Sequence, residues 1–355
     1  MNSKEKVLCA VNLQEPDRVP MDFAANKITT ERFKKDLNVN SHRQLIDFLK
    51  SDIVDIRGVV DPLYKGPVPF ERDIGGGVTE NFWGWRTKIE NTVTGPEPMY
   101  CDSILKNASS VQELEKHNWP KVDWFEFSAM KAALRSSSDL AVMASRPSAW
   151  QHPSFLRGLA QFLMDLLISP EIAEFLRDKF TDFYVDYFDC MFTKCEVAID
   201  LLRIADDLGM QDRLLISPEL FDEFFASRIK RIIDMAKSHN VKVMLHSCGS
   251  IISFIDRLIE IGVDILAPIQ VTAKDMDPQY IKDNFGSRLC FHGSIDTQYL
   301  LPQGSVAETK ETVIRMVQIL GKNGGFILSP SHLLQNDVPT QNVLALYRAG
   351  EALSR

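Results

Sequence analysis

A closed (β/α)8 barrel is the fold class this sequence predicts. Eight short apolar runs recur along 355 residues, and most are joined by segments of helical periodicity. The rival, an open doubly wound sheet, should offer a Gly-rich first turn, and none follows the early strands. The length suits one barrel domain over residues 1–355, with an N-terminal helical segment at about 1–15 and an insertion at about 63–104.

The elements follow in order. Residues 3–12 form a helix that Glu15-Pro16-Asp17-Arg18 ends, and Val19 to Phe23 is the first strand. Helices at 29–37 and 41–50 precede a second strand, 53–60, which stops at Asp61-Pro62. The stretch 63–104 breaks the beat with Gly75-Gly76-Gly77, Trp83, Trp85 and several prolines. Alternation from Val78 to Glu90 predicts a β-hairpin there. The three glycines lack the strand–turn–helix context of a phosphate loop, which excludes a nucleotide site of that kind. Helices at 111–116 and 125–136 lead to a third strand, 140–145. Two long helices follow, 154–168 and 170–195, the second opened by Ser169-Pro170-Glu171. The strand 201–206 ends in Asp206-Asp207, and Ser217-Pro218-Glu219 opens a helix to about 239. Strands at 242–247, 265–269, 289–293 and 325–329 then alternate with helices at 251–261, 278–284, 306–321 and 340–353.

Net charge is −8 with no basic tract, so a nucleic-acid surface is excluded. The acidic exterior leaves room for a cationic or neutral small substrate. No apolar run reaches 18 residues, so no membrane span is expected, and the N-terminus lacks a long apolar region; the expected location is the cytoplasm. The six cysteines are scattered with no CxxC, as free thiols would be. Oligomeric state stays open, a homodimer included.

In such a barrel, chemistry collects at the C-terminal ends of the strands. Those ends carry Asp22, Asp61, Arg146, Asp206 with Asp207, His246 with Cys248, Gln270, His292 with Asp296, and His332. Buried strand positions would not select polar groups so consistently. In Lys242-Val-Met-Leu-His-Ser-Cys-Gly249 an imidazole and a thiol stand two residues apart, where a strand ends. On a continuing strand both point to one side, a pairing that suits Zn²⁺; the competing reading is a core histidine beside a buried thiol. A third ligand would come from His332, Cys290, His292 or Asp207, with His332 preferred because it directly follows a strand. Asp206 and Asp207 are either helix or turn caps, or carboxylates that contact substrate or orient a ligand. The aromatic residues of the insertion either pack it onto the barrel or form a lid.

Five stretches resemble the uroporphyrinogen decarboxylase superfamily along nearly the whole chain. They are Glu15-Pro-Asp-Arg-Val-Pro20, Asp206-Asp-Leu-Gly with Leu215-Ile-Ser-Pro-Glu219, Val243-Met-Leu-His-Ser-Cys-Gly-Ser250, Phe291-His-Gly-Ser-Ile-Asp296 and Gly325-Phe-Ile-Leu-Ser-Pro-Ser-His332. The resemblance implies a (β/α)8 barrel of that type. True decarboxylases of this kind carry an arginine-rich segment after the first strand; here it reads Met21-Asp-Phe-Ala-Ala-Asn-Lys27. A polyanionic substrate would meet Asp22 there, so the chain is more similar to the cobalamin-dependent methyltransferase branch. That branch implies zinc on His246 and Cys248, with His332 standing where it has a cysteine, and cobalamin on a partner corrinoid protein. The implied reaction moves a methyl group between a small substrate and cobalt, in either direction, with a thiol or folate among the possible acceptors. Asp206, Asp207 or His292 would handle a proton, and Asp22, Gln270 and Asp296 would bind substrate. The aromatic-rich insertion suits an aryl methyl ether as donor. The alternative is a decarboxylase on another substrate, with Asp61 stabilising a developing cation and His332 assisting.

Overall fold

In the computed structural model, which describes residues 1–195 and 199–353, seven parallel strands curl around a common axis. They are β1 (Ile53–Asp55), β2 (Ala141–Ser145), β3 (Leu201–Ala205), β4 (Lys242–His246), β5 (Ile265–Ile269), β6 (Cys290–Ile295) and β7 (Phe326–Pro330), hydrogen-bonded in that order. The first expected strand survives as a single bridge, Met21 to Leu328. Asp22 N–H donates to Leu328 O on one side, and Asp52 N–H donates to Met21 O on the other. The segment thus spans β7 and β1 and completes the ring. Pro20 has no N–H to give, which limits the ladder at this point.

Alternation along the strands sorts two layers. Val54, Val142, Leu202, Val243, Leu266, Phe291 and Leu328 face outward into the layer of helices. Ile53, Ala141, Met143, Leu201, Met244, Ile265, Cys290 and Ile327 face inward and pack with Val7 and Val11. Those two valines belong to the helix Ser3–Val11, which Asn2 and Glu5 close with a capping box. Several inward residues, among them Ile53, Ala141 and Cys290, are the first of their strands, so this helix stoppers the N-terminal end of the barrel. Cys290 therefore lies deep in that plug layer, below the level of the strand ends.

The strand expected over 53–60 stops early. Asp55 accepts the Arg57 N–H and turns Ile56–Gly58 into a 3-10 helix. The insertion is larger than a hairpin: Glu71–Asp73, Val78–Asn81, Arg86–Thr92 and Gly95–Asp102 form a four-stranded antiparallel sheet. Its aromatic side chains bind it to the helix Pro170–Lys194. Trp83 is 3% exposed and stacks on Phe180 at 4.3 Å between ring centres, with Trp85 stacked behind it at 5.7 Å. No helix is long and apolar enough to cross a membrane among the described residues.

Candidate functional site

The turn after β4 is held from both sides. Ser247 N–H donates to Ala267 O in the middle of β5, and its hydroxyl accepts from Leu208 N–H. Cys248 N–H donates to Asp207 Oδ1 at 2.8 Å, and Gly249 N–H donates to the Gln270 side chain at 2.8 Å. Gly249 takes φ +89°, and a Cβ there would lie 2.5 Å from Met210 O, so no other residue fits the turn. This packing points His246 and Cys248 into the mouth, with Cys248 Sγ 3.6 Å from His246 Nε2.

His332 arrives from the loop after β7, anchored by Ser331 N–H to Ile295 O. One ligand atom each from His246, Cys248 and His332 lies within 4.8 Å of the others. A tetrahedral zinc with a thiolate and two imidazoles needs donor spacings of about 3.5 Å. The His246–Cys248 spacing of 3.6 Å already fits, and His332, on the exposed side of the set, lies within 4.8 Å of both. Asp207 Oδ1 lies 3.8 Å from His246 Nε2, so a carboxylate borders the same set. Burial, followed by His332 and Arg203, holds His246 well below the usual histidine range, in the neutral form a metal requires. Burial and then Asp207 raise the Cys248 thiol, and a divalent cation is what would offset that.

A second pair lies deeper. Asp22, 2% exposed, accepts from or shares a proton with His292 Nε2 at 2.9 Å. Among the described residues, His292 Nδ1 is buried without a partner, and so are the hydroxyls of Ser294 and Ser329, neighbours in register on β6 and β7. The Tyr347 hydroxyl donates to the Asp22 backbone carbonyl and fixes this segment.

Other expected residues have different work. Asp206 is fully buried; its carboxylate takes the Ser148 hydroxyl and the N–H groups of Ala149, Trp150 and Gln151. Burial pushes it up to about 6 against those four donors. It holds a loop and does not reach the mouth. Asp296 caps the following turn through Gln298, Tyr299 and Leu300 N–H. Gln270 lines the mouth, but both ends of its amide are engaged, with Gly249 and Gln211. Asp61 is exposed on the loop beyond Arg57, outside the His246 group.

The mouth holds a cavity of about 480 Å³, lined by Cys248, His332, Gln270, Gln211, Tyr299 and Asp337 among others. Thr94, at the tip of the insertion, closes one side of it. The insertion tryptophans are turned away from it, so the aromatic argument for an aryl ether loses its footing.

Sequence reasoning passed over a further group. Asp55 on β1 accepts the Ser145 hydroxyl at 2.6 Å, Arg57 at 2.7 Å and Arg203 at 3.4 Å. The signal was present: Arg203 interrupts the apolar strand Leu201–Ala205.

His152, buried, meets the Tyr184 hydroxyl at 2.6 Å, and burial with help from Arg146 pulls it down to about 3. An unfolded histidine titrates near ~6.5. A depressed histidine contributes its stability above that pH and loses it as pH falls towards 3, at up to about 1.4 kcal/mol per pH unit. Melting temperature should drop from pH 7.5 to 5, and His152→Gln should flatten the slope. An unchanged slope would show that another group drives it.

A family model described as uroporphyrinogen decarboxylase (URO-D) matches residues 91–353. A solved "methyltransferase from Methanosarcina mazei" is similar over 100% of both chains, at 18% identity and TM-score 0.68. An "IOLI protein with a binding zinc atom" covers 68% of this chain and 82% of its own, at 11% identity and TM-score 0.35. No curated protein matches.

Proposed function

The chain belongs to the uroporphyrinogen decarboxylase family, and on that premise we propose that it is a methyltransferase moving a methyl group between a small substrate and the cobalt of a partner corrinoid protein. The observation that carries this reading is the donor set His246, Cys248 and His332, gathered within 4.8 Å beside the mouth cavity. The similarity in fold to a protein titled methyltransferase supports it.

The residues present suit zinc: two neutral imidazoles and a thiol that is deprotonated on binding. Bound there by His246, Cys248 and His332, it would supply Lewis acidity at the substrate heteroatom that gives or takes the methyl group. Asp207 fixes the Cys248 backbone and stands beside His246, so it orients both ligands. The Asp22–His292 pair faces the interior with a free Nδ1, able to hold or release the proton that the heteroatom loses or gains. The polar lining of the cavity orients a small substrate before the partner approaches.

Methyl transfer with free methylcobalamin, followed by the cobalt absorbance, tests the reading. Transfer in at least one direction with an ether, amine or thiol is expected. No transfer with any of them, alongside release of CO2 from a carboxylated substrate, would replace it with a decarboxylase.

A further inference from the structure

The acidic surface suggests a cationic or neutral substrate, yet the inner wall of the mouth is basic. Arg203 is mid-strand on β3, in register with Ser145 on β2 and Met244 on β4. Met244 faces inward, and His246 lies two residues further along the same face. Arg203 is therefore one layer below His246, inside the barrel. Arg57 reaches the same carboxylate, Asp55, from the 3-10 turn after β1.

Arg146 completes the group. It follows the last residue of β2 with φ +81°, an unusual conformation for arginine, and its N–H donates to Arg203 O. Among the described residues its guanidinium has no hydrogen-bonded partner. Desolvation by the surrounding protein is the largest influence on it, Arg57 and Arg203 then oppose its charge, and Asp55 and Tyr100 favour it, while the residue itself keeps an exposed face. Asp55 is already shared between Arg57 and Arg203, and Asp22 adds a longer-range attraction to Arg203, so among the described residues Arg146 is the guanidinium left without an ion pair. Arg146 is exposed, so its guanidinium is solvated when the site is empty and free to pair with an anion that enters. Across the same interior, the Ser294 and Ser329 hydroxyls and His292 Nδ1 stand buried and, among the described residues, unpartnered, which suits a polar guest.

We propose that Arg146 and Arg203, backed by Arg57, form an anion subsite that binds a carboxylate on the substrate, beside His246 and Cys248. The inference rests on the methyltransferase reading for the word substrate; the subsite itself does not depend on it. The substrate class is then a small methylated carboxylate, with the heteroatom at the His246 group and the acid group at the arginines. A planar guanidinium pairs with carboxylate through two parallel hydrogen bonds, which fixes orientation as well as affinity.

Direct binding tests this without turnover. Methoxyacetate, methylthioacetate and 3-methoxybenzoate would each be titrated calorimetrically into the full chain against the matching primary amide. At least one acid should bind tenfold or more tightly than its amide. Arg146→Gln should erase that preference and Arg146→Lys should keep part of it. Arg146 carries no ion pair, so its variants keep the Asp55 network intact; Arg203→Gln is the second arm, read only where its melting curve matches wild type. Acids that fail to bind, that bind no better than amides, or that keep their preference in Arg146→Gln overturn the subsite. A protein that prefers acids but transfers no methyl group keeps the subsite and loses the methyltransferase reading.

Discussion

Zinc-loaded protein should hold about one equivalent of metal, and His246→Ala or Cys248→Ala should each weaken it at least ~100-fold. Changes in residues that merely support a ligand cost about 10–100-fold, so loss of a ligand itself must cost as much or more. Chelator competition with metal analysis measures it. His332→Ala and Asp207→Ala decide the third ligand. The cluster geometry favours His332, whose ligand atom falls within 4.8 Å of both others. Asp207 already spends Oδ1 on the Cys248 N–H, so its alanine variant should shift affinity less. Wild type that takes up less than about a tenth of an equivalent, when such a site should be near-stoichiometric, would end the zinc reading. Turnover should follow metal content across the series.

Asp22→Asn should lower kcat by about 10²–10⁴ if the Asp22–His292 pair handles the substrate proton. It should also cost roughly 1–3 kcal/mol of stability, because a buried partner is left poorly matched. The two residues are 2% and 5% exposed, so water cannot step in. The two effects separate the possible roles. Denaturant melts read the stability term, and the split between kcat and KM reads the chemical one. A variant that melts early but turns over normally would reduce the pair to a strut. His292→Gln, which keeps a donor near Asp22 but cannot titrate, should reproduce the kcat loss with a smaller stability cost.

Most strands of the barrel were legible because they are short apolar runs bounded by turn residues, as in Val243 to Leu245 or Phe326 to Leu328. The first was overread because Val19-Pro-Met-Asp-Phe has the composition of a strand but a proline inside the ladder. The second was overrun because Asp55 turns the chain with its own side chain, a contact that hydrophobic pattern does not encode. At the mouth, His246, Cys248 and His332 were legible from their position after strands, and they do converge. Asp206 and Asp296 sit at equally suggestive positions, yet their carboxylates are consumed by backbone N–H groups. Sequence position gives a strand end; it does not give the direction in which a carboxylate finds its donors. The arginine group was hidden for the opposite reason. Arg146 stands at a strand end, but Arg203 is mid-strand and Arg57 lies in the turn after β1, and the three become one feature only when β1, β2 and β3 lie side by side.

The N-terminal helix has a bearing on kinetics. Because Val7 and Val11 cork the far end of the barrel, everything that enters or leaves does so by one door. A bulky protein partner pressed against that door would trap whatever small molecule is inside and bar any that is not. On the proposed methyltransferase reading, traffic would then be sequential in a fixed order: small molecule first in, partner on, partner off, small molecule last out. Steady-state patterns should show the small substrate as the leading reactant, with excess partner acting as an inhibitor that substrate overcomes.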